Sequence, residues 1–404
     1  MNKILDKTKK WMKGISQSKE SVNLGPFAVI VGLIIIGFIF QLANENFLTP
    51  LNITNLLSQI AAIGILSVGT ILVLLIGEID LSIGAVSGAT AAIMAVLITT
   101  YNVPSIIAIF TAILVGMLIG ALQGVFIVKV NVPSFVVTLA GQLIWQGVQL
   151  FVLGDSGTIN LRDPIIQGVA NALVPPWLGW IIGVVAVSFI VIHAFVERNS
   201  RKKAGLSYKP LSLAIGRVAL ISAAILTAIG LMNIDRSQLA QVDPIRGIPS
   251  ATLIFISFVV IFHIVTTKTV FGRHIFTIGG NVEAARRAGI RIDKVRIWVF
   301  ALCSGIAACG GIVAASRLIA VNYGSGGGSI VLNAIAAAVI GGTSLFGGKG
   351  SVWAALLGGL VIGSISNGMD LLSFPSSTKF IVTGTVLLLS VIIDATSRQR
   401  RTSE

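Results

Sequence analysis

Long runs without a charged residue constrain this chain more than any other feature. Residues 24–43 contain no Asp, Glu, Lys or Arg, and neither do residues 104–128. A helix needs about 20 such residues to cross the hydrocarbon core of a bilayer. Apolar residues make up 55% of the chain and charged residues 11%, whereas about 25% of a soluble domain is charged. The sequence therefore predicts an all-α polytopic membrane protein.

The apolar runs predict a single transmembrane domain over residues 24–396. It is preceded by a basic N-terminus, 1–23, and followed by a tail, 397–404. The span at 331–346 is short and rich in glycine. The predicted spans are 24–43, 56–77, 82–98, 104–128, 134–153, 177–197, 212–231, 250–267, 297–316, 331–346, 352–368 and 379–396.

The basic residues predict the orientation. When the N-terminus is placed in the cytoplasm, all but five of the 29 Lys and Arg residues fall on cytoplasmic segments. The exceptions are Arg162, Arg236, Arg246, Arg317 and Lys379. The positive-inside rule then places both termini in the cytoplasm and accounts for the net charge of +14 without a nucleic acid partner. Both termini inside require an even number of spans, which retains 331–346.

A short internal repeat indicates an inverted-repeat architecture. The glycine-rich stretch 116–120 precedes a turn and span at 132–138, and the stretch 359–363 precedes a similar turn and span at 374–383. Each turn contains Pro-Ser. The predicted topology puts the first turn inside and the second outside, as in many transporters. Chance recurrence of glycine-rich spans and Pro-Ser turns is the alternative.

Sequence patterns for catalysis or metal binding are absent. The stretch Gly-Gly-Lys-Gly at 347–350 lacks the glycine spacing and the following Ser or Thr of a nucleotide-binding loop. The three histidines are scattered and give no metal-ligand spacing. We therefore expect no ATP hydrolysis by this chain, no bound cofactor and no metal site.

Glu78 and Asp80 are carboxylates between two predicted spans. A charge at the centre of a membrane helix costs about 2.5–3.5 kcal/mol on insertion scales, so such residues indicate function. The alternative is a tight turn that reaches water. Polar side chains in or beside the spans are further candidates for a translocation path, and each could equally serve as an interhelical hydrogen bond. These candidates are Ser82, Ser134, Thr138, Gln142, Gln146, Asn333, Thr343, Ser344 and Asn367.

Residues 333–351 combine small residues with glycine pairs. Glycine pairs break helices and let backbones approach closely. The pattern predicts a discontinuous helix whose free backbone groups line a polar cavity. A tight hairpin with only a packing role is the alternative.

The stretch 268–296 carries seven Lys or Arg residues between two spans. Within it, Glu283, Ala284 and Ala285 are followed by Arg286, Arg287 and then Gly289. This order predicts a short helix ended by a glycine, which could insert into a groove of a cytoplasmic partner. The alternative is a long basic loop that only fixes topology.

Four ordered motifs together resemble the permease subunit of monosaccharide ATP-binding-cassette importers, the ribose, xylose, arabinose and galactose group. The motifs are Gly-x-Ile-Asp-Leu-Ser-x-Gly at 77–84, Val-Pro-x-Phe-x-x-Thr-Leu at 132–139, Gly-Gly-Asn-x-Glu-Ala-Ala-x-x-x-Gly-Ile at 279–290 and the Ala-Ile-Ala-Ala…Gly-Gly-Thr-Ser-Leu stretch within 334–350. One departure is Glu78, where the family commonly has Gly or Ser. Ribose-type members lack the pair of spans at about 177–231, so the longer form resembles the xylose-type permeases.

The resemblance implies an inverted-repeat permease fold with about ten core helices plus the inserted pair. It further implies a bacterial plasma (inner) membrane location and two permease copies around the path. A sugar-binding protein, periplasmic or lipid-anchored, would dock outside. A double ATPase subunit, which holds the ATP and Mg²⁺, would bind the cytoplasmic coupling loop 268–296 around Glu283.

Three other functions fit parts of the sequence. An ion-coupled secondary transporter would use Glu78 or Asp80 as its proton site. A branched-chain amino acid permease of the related type would share the fold, although the ordered motifs fit the sugar group better. A membrane scaffold or receptor would not transport at all, and uptake would continue without it.

Overall fold

The computed structural model of the protein describes residues 24–205, 211–237 and 243–402, and the predicted N-terminal segment 1–23 lies outside the described residues. Fifteen helices make up most of the described chain. They are α1 Leu24–Ala43, α2 Pro50–Leu75, α3 Ile83–Thr99, α4 Ser105–Lys129, α5 Ser134–Leu153, α6 Pro164–Asn171, α7 Pro176–Lys203, α8 Leu211–Asn233, α9 Ser250–Lys268, α10 Val270–Gly280, α11 Val282–Arg287, α12 Ile292–Leu318, α13 Ile330–Ile340, α14 Trp353–Leu371 and α15 Ser376–Thr402.

Two small antiparallel sheets join the loops between helices. Strand β1 (Thr158–Asn160) pairs with β4 (Ala320–Asn322), so that Ile159 lies opposite Val321. Strand β2 (Leu173–Val174) pairs with β3 (Ile248–Pro249). A short 3-10 helix, Gly154–Ser156, follows α5. These strands tie together loops that are far apart in sequence.

The helices agree with the predicted membrane spans in number and place. Among the described residues, eight helices are long and apolar enough to cross a membrane, namely α2, α4, α5, α7, α8, α9, α12 and α14. The shorter apolar helices α1, α3, α13 and α15 occupy the remaining predicted spans. The predicted all-α polytopic membrane fold is confirmed.

The polarity of α5 is reversed relative to a helix of a soluble protein. Most of its buried residues are polar or small, among them Ser134, Thr138 and Gln149, whereas Phe135 and Leu143 are exposed. Without water around the bundle, burial of apolar side chains does not drive helix association. Close backbone packing and internal hydrogen bonds hold such helices together instead.

Glycines spaced four apart bring α4 directly onto α12. A Cβ added to Gly116 would lie 2.8 Å from the carbonyl oxygen of Ser304, and one added to Gly124 would lie 2.9 Å from Cα of Ile297. Between them, a Cβ on Gly120 would overlap the carbonyl oxygen of Phe300. The two helices therefore run antiparallel at backbone contact, which only glycine permits.

The bundle has two ends, which we name by their residues. The basic end contains Gly77, Lys129 and Gly279, and the far end contains Asn44 and Leu153. At the basic end, Gly279 of α10 packs on the carbonyl oxygen of Leu75, so α10 lies directly against the end of α2. At the far end, Asn44 Nδ2 donates to the carbonyl oxygen of Leu371 at 3.2 Å.

The predicted span at 331–346 is helical only in its first part. Helix α13 ends at Ile340, and Gly342 has a φ of +102°. Eleven residues of α-helix cover about 16 Å, roughly half of the hydrocarbon core. The prediction of a discontinuous helix over 333–351 agrees with the structure, because the glycines after Ile340 end the helix before it reaches the basic end.

Irregular backbone completes the crossing on both sides of α13. At its start, the carbonyl oxygens of Asn322 and Ser325 accept from Gln149 Nε2 on α5, each at 2.9 Å. After its end, Gly348 N donates to the carbonyl oxygen of Leu75 at 3.0 Å. Non-helical backbone at membrane depth is tolerated only where protein or a polar cavity surrounds it.

Several helices differ from the predicted bounds. Helix α7 continues to Lys203, and the rest of the predicted loop 198–211 lies in part outside the described residues. Helix α15 continues to Thr402 rather than ending at 396. Within the predicted loop 268–296, α10 is a helix that the sequence analysis did not predict.

The helical pair α7 and α8 lies at the periphery. Only 11% of the most apolar window of either helix is buried. A small cluster formed by Ile229, Met232 and Ile248 attaches α8 to Leu57 of α2. The two Pro-Ser turns, at 133–134 and 375–376, lie at the basic end and the far end respectively, as an inverted repeat requires.

Candidate translocation path and coupling surface

An extended turn at 77–82 separates α2 from α3 and turns back into the bundle. Gly77 begins it with a φ of +79°. The Leu81 backbone N–H donates to Thr138 Oγ1 at 3.1 Å, and Thr138 Oγ1 donates to the carbonyl oxygen of Ile79 at 3.3 Å. The Ile79 N–H lies 3.4 Å from Ser134 Oγ. Hydroxyl groups of α5 thus satisfy backbone groups that no helix pairs.

Asp80 is a carboxylate inside the bundle with 1% of its surface exposed. Its Oδ1 accepts from the Ser82 N–H at 2.8 Å and from Ser82 Oγ at 2.7 Å. Its Oδ2 lies 3.5 Å from the Cys303 thiol of α12. Because an isolated buried carboxylate is costly, these partners stabilise Asp80 at this depth.

Two polar side-chain groups where α4 meets α12 are buried without a hydrogen-bond partner among the described residues. They are Gln123 Nε2 on α4 and Ser304 Oγ on α12. Gln123 Oε1 lies 3.0 Å from Ser82 Oγ. Unsatisfied buried donors are rare in proteins, and they indicate a site for a hydroxyl group or a water molecule.

Glu78 lies at the basic end of the same turn and pairs with Arg296 of α12. The distance from Glu78 Oε1 to Arg296 Nη2 is 3.0 Å. The side chains are 14% and 25% exposed respectively. The turn therefore carries one carboxylate, Asp80, inside the bundle and another, Glu78, at the edge of the bundle, where it contacts the start of α12.

The loop after α13 brings Thr343 and Ser344 to the basic end. Thr343 is 1% exposed and Ser344 8% exposed. The Ser344 N–H donates to the carbonyl oxygen of Lys349 at 3.0 Å, and Thr343 Oγ1 has no partner among the described residues. Gly347 packs against Gly77, so this loop and the 77–82 turn are neighbours.

The remaining predicted path residues lie apart from this cluster. Asn333 Nδ2 donates to Ser329 Oγ at 3.3 Å at the start of α13. Gln142 is half-buried on α5, and Gln146 is exposed on the outer surface. Asn367 lies at the far end, where it pairs with Asn52. The structure thus brings together Glu78, Asp80, Ser82, Ser134 and Thr138, with Thr343 and Ser344 beside them.

Sequence reasoning missed Gln123, Gln149 and Cys303. A signal existed for Gln149, because it follows Ser134 and Thr138 at the helical spacing of one face of α5. Gln123 and Cys303 lie on different helices, α4 and α12, and only the close contact between those helices places both near Asp80.

The short helix predicted around Glu283 is present as α11. Asn281 caps it, since Asn281 Oδ1 accepts from the Ala284 N–H at 2.9 Å. Glu283 pairs with Arg286 at 2.9 Å and with Arg287 at 3.5 Å, and all three side chains are more than half exposed. A Schellman-like turn follows, in which Gly289 has a φ of +77°.

The two alanines of α11 have different environments. Ala284 is exposed, whereas Ala285 is fully buried in the main hydrophobic cluster. Ala285 therefore anchors the helix to the bundle and is unavailable to a partner. A cleft of about 490 Å³ beside α11 is lined by Lys129, Arg286, Ile290, Arg291, Ile292, Asp293, Lys294 and Ile297.

No cluster of metal-binding side chains occurs in the described part of the chain. There, no group of three or more His, Cys, Asp or Glu side chains lies close enough to hold a metal ion. The arrangement offers hydrogen bonds to a polar solute inside the bundle and a charged surface at the basic end.

Comparison with known proteins gives consistent matches over most of the chain. Residues 52–391 match the family described as "Branched-chain amino acid transport system / permease component". The chain is 35% identical over 382 residues to the "Xylose transport system permease protein XylH" of Escherichia coli (strain K12), which covers 94% of each protein. The Haemophilus influenzae protein of the same name is 34% identical, and the match covers 94% of this chain and 99% of that protein. The "Ribose import permease protein RbsC" of Bacillus subtilis (strain 168) is 30% identical over 92% of each protein. No solved structure matches.

Proposed function

We propose that this chain is the membrane-spanning subunit of an ATP-driven monosaccharide importer. The premise is that it belongs to the family of branched-chain amino acid transport system permease components. The observation that carries the proposal is the near end-to-end similarity to permease proteins named for xylose and ribose. The eight membrane-capable helices and the bacterial relatives support a multi-pass protein of the bacterial inner membrane.

D-Xylose is the substrate we propose. The similarity is higher to the xylose permeases, at 35% and 34% identity, than to the ribose permease, at 30%. A branched-chain amino acid remains the competing substrate, because it stands in the family description. Uptake of labelled xylose in the presence of excess leucine separates the two.

The path is proposed to open alternately at the two ends of the bundle. The cluster around Asp80 supplies hydrogen-bonding groups inside the bundle, and the broken segments at 77–82 and around α13 supply irregular backbone of the kind that transporters place near the substrate. Bonds from these groups to sugar hydroxyls would replace bonds to water. ATP must favour one of the two states for its binding to move the path.

The partners follow from the proposed role. An ATPase subunit that holds ATP and Mg²⁺ would bind α11 at the basic end, and both termini of the chain would then lie in the cytoplasm. A sugar-binding protein, periplasmic or lipid-anchored, would dock at the far end, where β1–β4 organise the loops. A second copy of the permease would complete the path, with lipid around both.

Ion-coupled transport is the second candidate, and Asp80 is the observation that favours it. A buried carboxylate in a membrane bundle is a typical proton site. Under that mechanism, the purified chain alone would take up sugar in response to a proton gradient. Under the proposed mechanism, it would require the ATPase and ATP.

The experiment is uptake of labelled xylose by proteoliposomes that contain this chain, its ATPase and its sugar-binding protein. We expect uptake only when ATP and all three proteins are present. We also expect this uptake to persist when an uncoupler abolishes the proton gradient. Uptake by the chain alone would favour ion coupling. Equal uptake by vesicles without the chain would leave it a scaffold or receptor.

A further inference from the structure

The Glu78–Arg296 ion pair joins the path to the coupling surface directly. Arg296 lies in the second turn of α12, which begins at Ile292 directly after α11 and the Gly289 turn. Glu78 lies on the 77–82 turn, two positions before Asp80. The Arg296 and Glu78 side chains are only 25% and 14% exposed respectively.

On the α12 side, the position of Arg296 depends on Glu78. The guanidinium Nη2 contacts the carboxylate at 3.0 Å, while Arg296 Nε is buried without a partner among the described residues. A partly buried pair is screened by salt less than a pair on the surface. A displacement of α11 that moves the start of α12 therefore pulls on Glu78.

On the path side, the turn that carries Glu78 is rigidly connected. Its backbone is hydrogen-bonded to Ser134 and Thr138 of α5, and Asp80 binds Ser82 at the start of α3. The Glu78 N–H itself donates to the carbonyl oxygen of Val73 at 3.2 Å. A displacement of Glu78 would therefore also move the polar groups around Asp80, because the turn that joins them is held by hydrogen bonds.

We infer that Glu78 is a positioning residue, whose ion pair with Arg296 transmits movement of the coupling helix to the 77–82 turn. This inference rests on the proposed function, since it presumes an ATPase at α11. It assigns Glu78 to coupling rather than to sugar contact, at the position where this chain departs from the resembled motif. The pair forms in the state described here and breaks or shifts when α12 moves.

The test compares Glu78→Gln with wild type in the reconstituted complex. Sugar uptake per ATP hydrolysed should fall by roughly threefold to thirtyfold, the range found for residues that carry coupling. Glu197→Gln is the matched control, because it makes the same change in an exposed ion pair with Arg201 on the peripheral helix α7. The exchanged pair, Glu78→Arg with Arg296→Glu, should recover most of the ratio.

A second readout separates coupling from folding. Cys303 lies beside Asp80 with no exposed surface, so in a Cys309→Ser background its labelling by a small thiol reagent reports on the 77–82 turn. Glu78→Gln should speed this labelling at an unchanged unfolding temperature. An unchanged labelling rate together with an unchanged uptake ratio would overturn the inference, as would failure of the exchanged pair to restore either one. Absence of ATP-dependent uptake in the wild type would instead count against the proposed function.

Discussion

Asn52 and Asn367 form a reciprocal pair of side-chain amide hydrogen bonds across 315 positions of sequence. Asn52 Nδ2 donates to Asn367 Oδ1 at 2.7 Å, and Asn367 Nδ2 donates back to Asn52 Oδ1 at 3.0 Å. Both side chains are buried. The pair joins the start of α2 to α14 at the far end, so Asn367 acts as an interhelical tie in this state.

Replacing both members of this pair should destabilise the protein by less than the sum of the two single replacements. Asn367→Leu leaves the Asn52 amide partly unsatisfied, at a cost of about 1–3 kcal/mol. The double variant Asn52→Leu with Asn367→Leu removes both groups and should show a coupling energy of about 0.6 kcal/mol or more. Unfolding in detergent measures the cycle, and strictly additive single changes would contradict the tie.

Gly120→Ala should destabilise the bundle. The added Cβ overlaps a backbone oxygen of Phe300, which no side-chain rotation can relieve, so α4 and α12 must separate. Overpacking of this kind costs about 1–3 kcal/mol. Gly147→Ala on α5 is the control, since nothing lies within 4 Å of its Cβ. A lower unfolding temperature is expected for Gly120→Ala alone, and equal temperatures would argue against backbone contact.

Asp163 should make α6 sensitive to acid. Desolvation raises the pKa of Asp163, but the hydrogen bonds from Ser105 and from the N–H groups of Ile166 and Ile165 together outweigh it, so its pKa lies below the usual value. The folded-state pKa is depressed, so this stabilisation is present above the unfolded pKa of about 3.9 and is lost as pH falls through the folded value.

The measurement is hydrogen exchange of the α6 amides between pH 6 and pH 3. Protection in the wild type should fall toward the acid end after correction for intrinsic exchange rates. In Asp163→Ala, protection should be reduced already at pH 6, by about 1 kcal/mol for a lost N-cap, and should change little with pH. A wild-type profile that is flat with pH would contradict the role of the carboxylate.

Glu283→Lys should abolish coupling to the ATPase and leave membrane insertion intact. Glu283 is exposed and holds Arg286 and Arg287, so reversing its charge alters the surface that a partner meets. Sugar-dependent ATP hydrolysis by the reconstituted complex measures the effect. Glu197→Lys on α7 makes the same charge change in an exposed pair with Arg201 and serves as the control. Undiminished hydrolysis in Glu283→Lys would show that α11 is not the contact.

The membrane class and most spans could be read from the sequence because each depends on local composition. A charge-free run must be helical in lipid, where every backbone group needs an internal partner. The same holds for α11, where Asn281 and Gly289 bound a helix through their own conformational preferences. The resemblance to sugar permeases is confirmed by matches over most of the chain.

The span at 331–346 shows what local composition leaves open. Hydropathy cannot distinguish a full helix from a half-helix continued by irregular backbone. Helix α13 is tolerated because Gln149 and Leu75, both distant in sequence, supply hydrogen-bond partners at its two ends.

Hydrophobicity, charge and capping over short stretches are enough to establish that this chain spans a membrane, where its helices lie and where the exposed helix α11 occurs. Which polar groups meet depends on how the helices pack. Asp80, Gln123 and Cys303 come together because the glycines of α4 admit α12 at backbone contact. Glu78 finds Arg296 for the same reason, since a contact between distant segments depends on packing that no single stretch encodes.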